Sequence, residues 1–127
     1  MRGIKPLLLA FVFILSMPAH TAATSPAVRE EIDALLAKLQ RSGCQFNRNG
    51  SWHDAKDAQL HLQKKLAYLE RKNAPISTER FIELAGSGSS VTGHPYLVRC
   101  GSASPIESRT WLLNELKAIR SQKNGDR

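Results

Sequence analysis

From residue 24 onward the apolar positions of the chain fall into four stripes at helical spacing, separated by short punctuated segments. Val28, Ile32, Leu35, Leu36 and Leu39 form the first. It opens at Ser25-Pro26, a capping residue followed by proline in the first turn, with Glu30 and Glu31 near the positive helix end. Ser42-Gly43 closes it. A long helix over residues 54–72 takes Asp54 as its cap and turns Ala55, Ala58, Leu62, Leu66 and Leu69 inward. Asn73-Ala74-Pro75 ends that helix, since proline restricts the residue before it and has no N–H to give. Ser77 or Thr78 caps a shorter helix to about residue 85 that buries Phe81, Ile82 and Leu84. Ser104-Pro105-Ile106-Glu107 reads as a capping box opening the last helix, which runs to about residue 120 with Ile106, Leu112, Leu113, Leu116 and Ile119 inward.

Between the first two helices, Cys44, Phe46 and Trp52 flank Asn49-Gly50, the pair that favours a two-residue hairpin turn. Two short strands are expected there; an irregular loop pinned by a cysteine is the alternative. Residues 86–95 are a glycine- and serine-rich loop, and residues 96–100 have strand-forming content. The order α-β-β-α-α-β-α predicts an α+β fold: a helix-rich single domain over residues 24–121 with a small antiparallel sheet. Residues 122–127 read as a polar, frayed tail.

The first 23 residues have a different character. Arg2 and Lys5 precede an unbroken apolar run over residues 7–15, then Pro18 and the small residues Thr21-Ala22-Ala23. This is the pattern of a secretory signal peptide, and the run is too short for a membrane span of about 20 residues. Removing residues 1–23 leaves 104 residues and lowers the net charge from +7 to +5. The expected address is periplasmic or secreted. In an oxidising compartment the only two cysteines, Cys44 and Cys100, read as one disulfide. A metal site lacks further ligands at suitable spacing, and a redox-active pair is normally close in sequence, whereas these lie 56 positions apart. Cys44 begins the first strand and Cys100 ends the last, so a bridge between them would hold the sheet together.

The motif Ser42-Gly43-Cys44-x-Phe46-x-Arg48-Asn49-Gly50-x-Trp52, followed by His61-Leu62, Lys65 and Tyr68-Leu69, resembles the YfeK-like family of small secreted bacterial proteins. Phe81-Ile82-Glu83, Ser89-Ser90, Gly93-x-Pro95-Tyr96-x-Val98 and Trp111-Leu112 continue the resemblance through the second half. It implies an envelope address and a domain of unknown function, and it brings no catalytic residues.

Candidate chemistry gathers on the long helix. His61, Lys65, Tyr68 and Lys72 are spaced four, three and four apart and so share a ridge beside the apolar stripe. Such a ridge is either the solvated shoulder of an amphipathic helix or a site for a carboxylate or phosphate. Arg48 in the hairpin turn can reach the same region with its fork of donors. Ser90 belongs to a loop that either cradles an anion through backbone N–H groups or merely connects two elements. The binding candidates are therefore Arg48, His61, Lys65, Tyr68 and Ser90. No catalytic residue, metal ligand or cofactor is assigned: Ser89 or Ser90 with His61 lacks a nucleophile elbow, and His53, His61 and His94 lack ligand spacing. Nucleic acid is excluded as a partner by the scattered cations and few aromatics. The expectation is a non-enzymatic binding or accessory protein of the cell envelope with an anion-friendly surface, its partner an anionic envelope component or an envelope protein. A small Ser/His hydrolase and a structural partner of an envelope complex are the alternatives.

Overall fold

The computed structural model describes residues 2–16, 24–75 and 77–126. The small-residue end of the expected signal peptide, residues 21–23, lies outside them. Residues 2–16 carry no regular secondary structure, and every large apolar side chain among them is at least 77% exposed. The greasy run is therefore not part of the core.

Helix α1 (Pro26–Arg41) is capped by Ser25, whose hydroxyl accepts from Val28 N–H, and its Ile32, Leu35, Leu36 and Leu39 are fully or almost fully buried. It is the middle of the molecule, packed against α2 (Ala55–Arg71) on one side and α4 (Ser108–Gly125) on the other. Asp54 caps α2 by accepting from Asp57 N–H, and Ala55, Ala58, Leu62 and Leu66 face α1 and the sheet. Ser77 caps the short α3 (Thr78–Phe81), which runs on into a widened π-helical turn, Ile82–Gly86. Two contacts hold that turn. The Ser87 hydroxyl donates to Ile82 C=O at 2.8 Å, and Gly86 lies so close to α4 that a Cβ there would sit 2.5 Å from Leu112 Cδ1.

Strands β1 (Gln45–Arg48), β2 (Ser51–His53), β3 (Leu97–Arg99) and β4 (Ile106–Glu107) form one antiparallel sheet in the order β2-β1-β3-β4. The β1–β2 hairpin turns at Asn49 and Gly50, with φ of 51° and 85°, the two positive values that a type I′ turn demands. Phe46 and Val98 pair on the core face, where the Phe46 ring meets Trp111 edge-on at 5.7 Å. On the other face Arg99 stacks on Trp52 at 4.0 Å and donates to Gln45. Cys44 and Cys100 occupy the next rung of the β1–β3 ladder and are joined by a disulfide, with their Cα atoms 4.3 Å apart. That separation is close to the ~4.5 Å of the narrower class of antiparallel pair, so the bridge fits the ladder it extends.

The expected fold class, element order and disulfide are all present. The differences are local. Ile106 and Glu107 do not open the last helix: they pair with Val98 and Leu97 as β4, and Ser108 N–H then donates to Tyr96 C=O at 2.8 Å. Sheet hydrogen bonds displace the capping box there, and Ile106 stays 42% exposed. Leu84 is only half-buried, because the widened turn presents Ala85 and Gly86 to the core in its place. Helix α4 continues through Gly125 rather than fraying after residue 120, with Lys123 near its negative end.

Since the longest strand has four residues, the Cys44–Cys100 bridge supplies much of what keeps β1 against β3. Replacing both cysteines by alanine is expected to lower unfolding stability by roughly 2–5 kcal/mol, measured by denaturant titration. An unchanged midpoint in the double variant would show that the ladder holds without it.

Candidate functional site

The β1–β2 hairpin delivers Arg48 to the start of its turn, directly above the first half of α2. Arg48 Nη1 lies 2.7 Å from His61 Nδ1, and His61 Nε2 lies 3.3 Å from Tyr96 Oη. A guanidinium stays protonated and can only donate, so Nδ1 is the acceptor and the single imidazole proton sits on Nε2. That proton is donated to Tyr96 Oη. One turn further along α2, Lys65 Nζ donates to the same oxygen at 3.2 Å, to Ala85 C=O at 3.1 Å and to Gly88 C=O at 3.3 Å. All three ammonium protons are thereby used within the protein. Lys65 closes one carbonyl in the widened turn, that of Ala85, and one just beyond it, that of Gly88, which sequence spacing alone could not indicate.

The imidazole is held neutral. Its pKa is pushed down to about 4, first because the ring is desolvated and then because Arg48, Lys65, His53 and Lys64 repel a further positive charge.

These groups line a cleft of about 230 Å³ between the hairpin turn and the loop before β3, with Asn49, Ser89, Ser90 and Val91 on its far wall. The loop is well braced. Ser89 Oγ accepts from Val91 N–H and Thr92 N–H, Ser89 C=O accepts from Gly93 N–H, and Thr92 Oγ1 accepts from His94 N–H. Asn49 ties the hairpin to it: Oδ1 accepts from the Thr92 hydroxyl at 2.9 Å, and Nδ2 lies 3.5 Å from Ser89 Oγ. With the N–H groups of Ser89, Val91, Thr92, Gly93 and His94 spent internally, this loop offers too few donors for a backbone anion cradle.

Of the residues singled out from sequence, Arg48, His61, Lys65 and Ser90 meet at this cleft. Tyr68 does not. It lies two helical turns on from His61, about 10 Å along α2, half-exposed between Arg71 and Lys72. Tyr96 takes the place foreseen for the phenol. The alternation of β3 held the signal, because Tyr96 shares parity with the inward Val98, and a buried phenol needs a polar partner. Ser89 is buried and committed to its loop, and both His61 nitrogens are engaged, so no Ser–His pair forms among the described residues. A larger cleft, about 410 Å³, lies beside the disulfide, and one of its two cations is already paired with a carboxylate. Lys38 pairs with Glu115 at 3.4 Å, and Arg41 sits in the last turn of α1 near its negative end.

The fold and the cleft thus define a small helix-rich α+β protein, its sheet closed by a disulfide and its cationic cleft held by a neutral histidine. The chain belongs to a family of unknown function, DUF5329, whose model matches residues 26–120. It is similar to the uncharacterized protein YfeK of Salmonella typhimurium, with 36% identity over 84 residues, 65% of this chain and 68% of that protein. No solved structure matches it.

The depressed His61 pKa couples this site to folding. Between about pH 6.5 and 4 the unfolded chain takes up a proton that the folded chain refuses. Stability is therefore complete above that window and falls as the pH is lowered through it. For a part-buried ring the loss is expected to be about 1–2 kcal/mol, below the full value of the shift. Urea unfolding from pH 7 to 4 measures it. His61→Gln keeps an acceptor for Arg48 and a donor for Tyr96, and its stability should stay flat until the carboxylates titrate. A wild-type curve that is equally flat would mean that His61 is not held neutral.

Proposed function

We propose that this chain is an exported protein of the bacterial cell envelope that binds an anionic group, without catalysis, in the cleft at Arg48. One observation carries the proposal. Two cations, Arg48 and Lys65, converge on the cleft, neither is paired with a carboxylate among the described residues, and Arg48 Nε is buried with no hydrogen-bond partner. The Nε–H is shut off from the cleft, but a guanidinium has five N–H donors, and those on its outer nitrogens not given to His61 suit an anionic acceptor. The roles differ from residue to residue. Arg48 is the donor, His61 sets its position, and Lys65, with its protons already used, contributes field rather than a bond.

Support for export comes from the charged start and exposed apolar run of residues 2–16 and from a disulfide compatible with an oxidising compartment. Among the described residues no helix is long and apolar enough to cross a membrane. The residual charge of +5 biases the protein toward anionic envelope components.

Two measurements test the proposal. Thermal shift of wild type and Arg48→Gln against small acids, phospholipid head groups and cell-wall fragments should show stabilisation of the wild type alone. Loss of a charge-assisted bond is expected to weaken binding by roughly 10- to 100-fold. Identical shifts for both proteins across the panel would dispose of the binding site. Separately, the intact mass of protein from its native host should lack residues 1–23, and a mass that retains them would rule out export by cleavage.

A further inference from the structure

The direction of every proton around Tyr96 follows from the geometry. Tyr96 Oη has two lone pairs, and both are taken, one by the Nε2 proton of His61 and one by Lys65 Nζ. The phenolic hydrogen has no acceptor among the described residues and is free for a guest. Tyr96 is only 7% exposed and lines two spaces, this cleft and a cavity of about 20 Å³ that it shares with Arg48, His61 and Ser108, and the cleft is the larger. Beside it stands the Arg48 guanidinium, with one proton given to His61 and no protein acceptor for the others among the described residues. The inner wall of the cleft therefore presents two donor groups and no free acceptor.

From this, and resting on the binding role above, we propose that the cleft receives the terminal carboxylate of a short peptide, one oxygen taking the Tyr96 hydroxyl and the guanidinium bonding the carboxylate from the side. Two oxygens answer two donor groups. A phosphate monoester offers three terminal oxygens, and few donors remain for the third: Lys65 is saturated and the N–H groups of Ser89 and of residues 91–94 are turned inward. Sugars and amines bring donors of their own, which would face the donors of Arg48 and Tyr96. At about 230 Å³ the cleft is smaller than the roughly 300–1,000 Å³ typical of sites that enclose a whole small molecule, so it suits the end of a chain. The rim chooses among chains. Asn49 and Ser90 can pair with a main-chain amide, and Val91, 93% exposed, offers one apolar contact to a side chain. A fatty acyl chain would need a continuous aliphatic groove, and Val91 is the one aliphatic side chain that lines this cleft.

The experiment is calorimetric titration of the full chain with four probes: N-acetyl-Ala-Ala, its C-terminal amide, octanoate and inorganic phosphate. The peptide acid is expected to bind with a Kd at or below about 1 mM and its amide at least about 10-fold more weakly. Tyr96→Phe, which removes one hydroxyl, and Arg48→Lys, which keeps the charge but loses the fork, should each weaken the peptide acid by roughly 10-fold. A melting curve for each variant separates lost binding from lost folding, and either variant alone suffices if the other fails to fold. Equal binding of acid and amide would overturn the carboxylate assignment. Tighter binding of phosphate or octanoate would overturn the peptide class while leaving an anion site at Arg48. Silence from all four probes, with a panel response that Arg48→Gln abolishes, would also overturn the peptide while sparing the site. Silence from all four and from the panel would remove both.

Discussion

The pairing of β1 with β3, on which the sheet is built, is closed by one covalent rung. The sheet has strands of four, three, three and two residues, below the usual five or six, so its ladder hydrogen bonds are few. Cys44 and Cys100 close a loop that contains the hairpin, α2, α3 and the loop before β3. Together with the three residue pairs of the β1–β3 ladder, that link fixes where β1 lies against β3, and hence where Arg48, at the end of β1, stands relative to Tyr96, the residue before β3. The cleft inherits its geometry from that ladder and from the disulfide at the opposite end of the same two strands.

Local patterns were legible in the sequence wherever the deciding interactions were also local. The stripe of Ile32, Leu35 and Leu39 needs only helical spacing, and Asn49-Gly50 needs only its two positive φ values. The cysteines announced their own bond. Legibility failed where a remote segment decided the outcome. Ser104-Pro105-Ile106-Glu107 has the chemistry of a capping box, but β3 offers Ile106 and Glu107 ladder partners, and the helix starts later. The site was half legible for the same reason. Spacing placed His61 and Lys65 on one ridge of α2, yet it could not show that the loop before β3 covers only that part, leaving Tyr68 outside and bringing Tyr96 in. Nor could it show that Lys65 is consumed by the carbonyls of Ala85 and Gly88.

The charges are sorted rather than scattered. Arg120 reaches Glu31 on α1 and Glu79 on α3, and this contact holds both carboxyls below their ordinary pKa. Arg29 bridges to Asp33 and Glu70, and Arg80 to Glu83. These pairs lie on the helical side and are exposed enough that each contributes little alone. Their effect is one of distribution. Six acids, Glu31, Asp33, Glu70, Glu79, Glu83 and Glu115, are engaged in this way, and none of them lines the cleft of Arg48 and Lys65.

The Asn49 bridge has a consequence for how a guest would come and go. By holding Thr92 and Ser89 from the hairpin side, it joins the two lips of the cleft through side chains already fixed in the folded chain. The conformational entropy of ordering these lips is lost once, when the chain folds, and not again at each encounter. No lid has to swing before a ligand enters or leaves. Such a mouth suits rapid exchange at modest affinity.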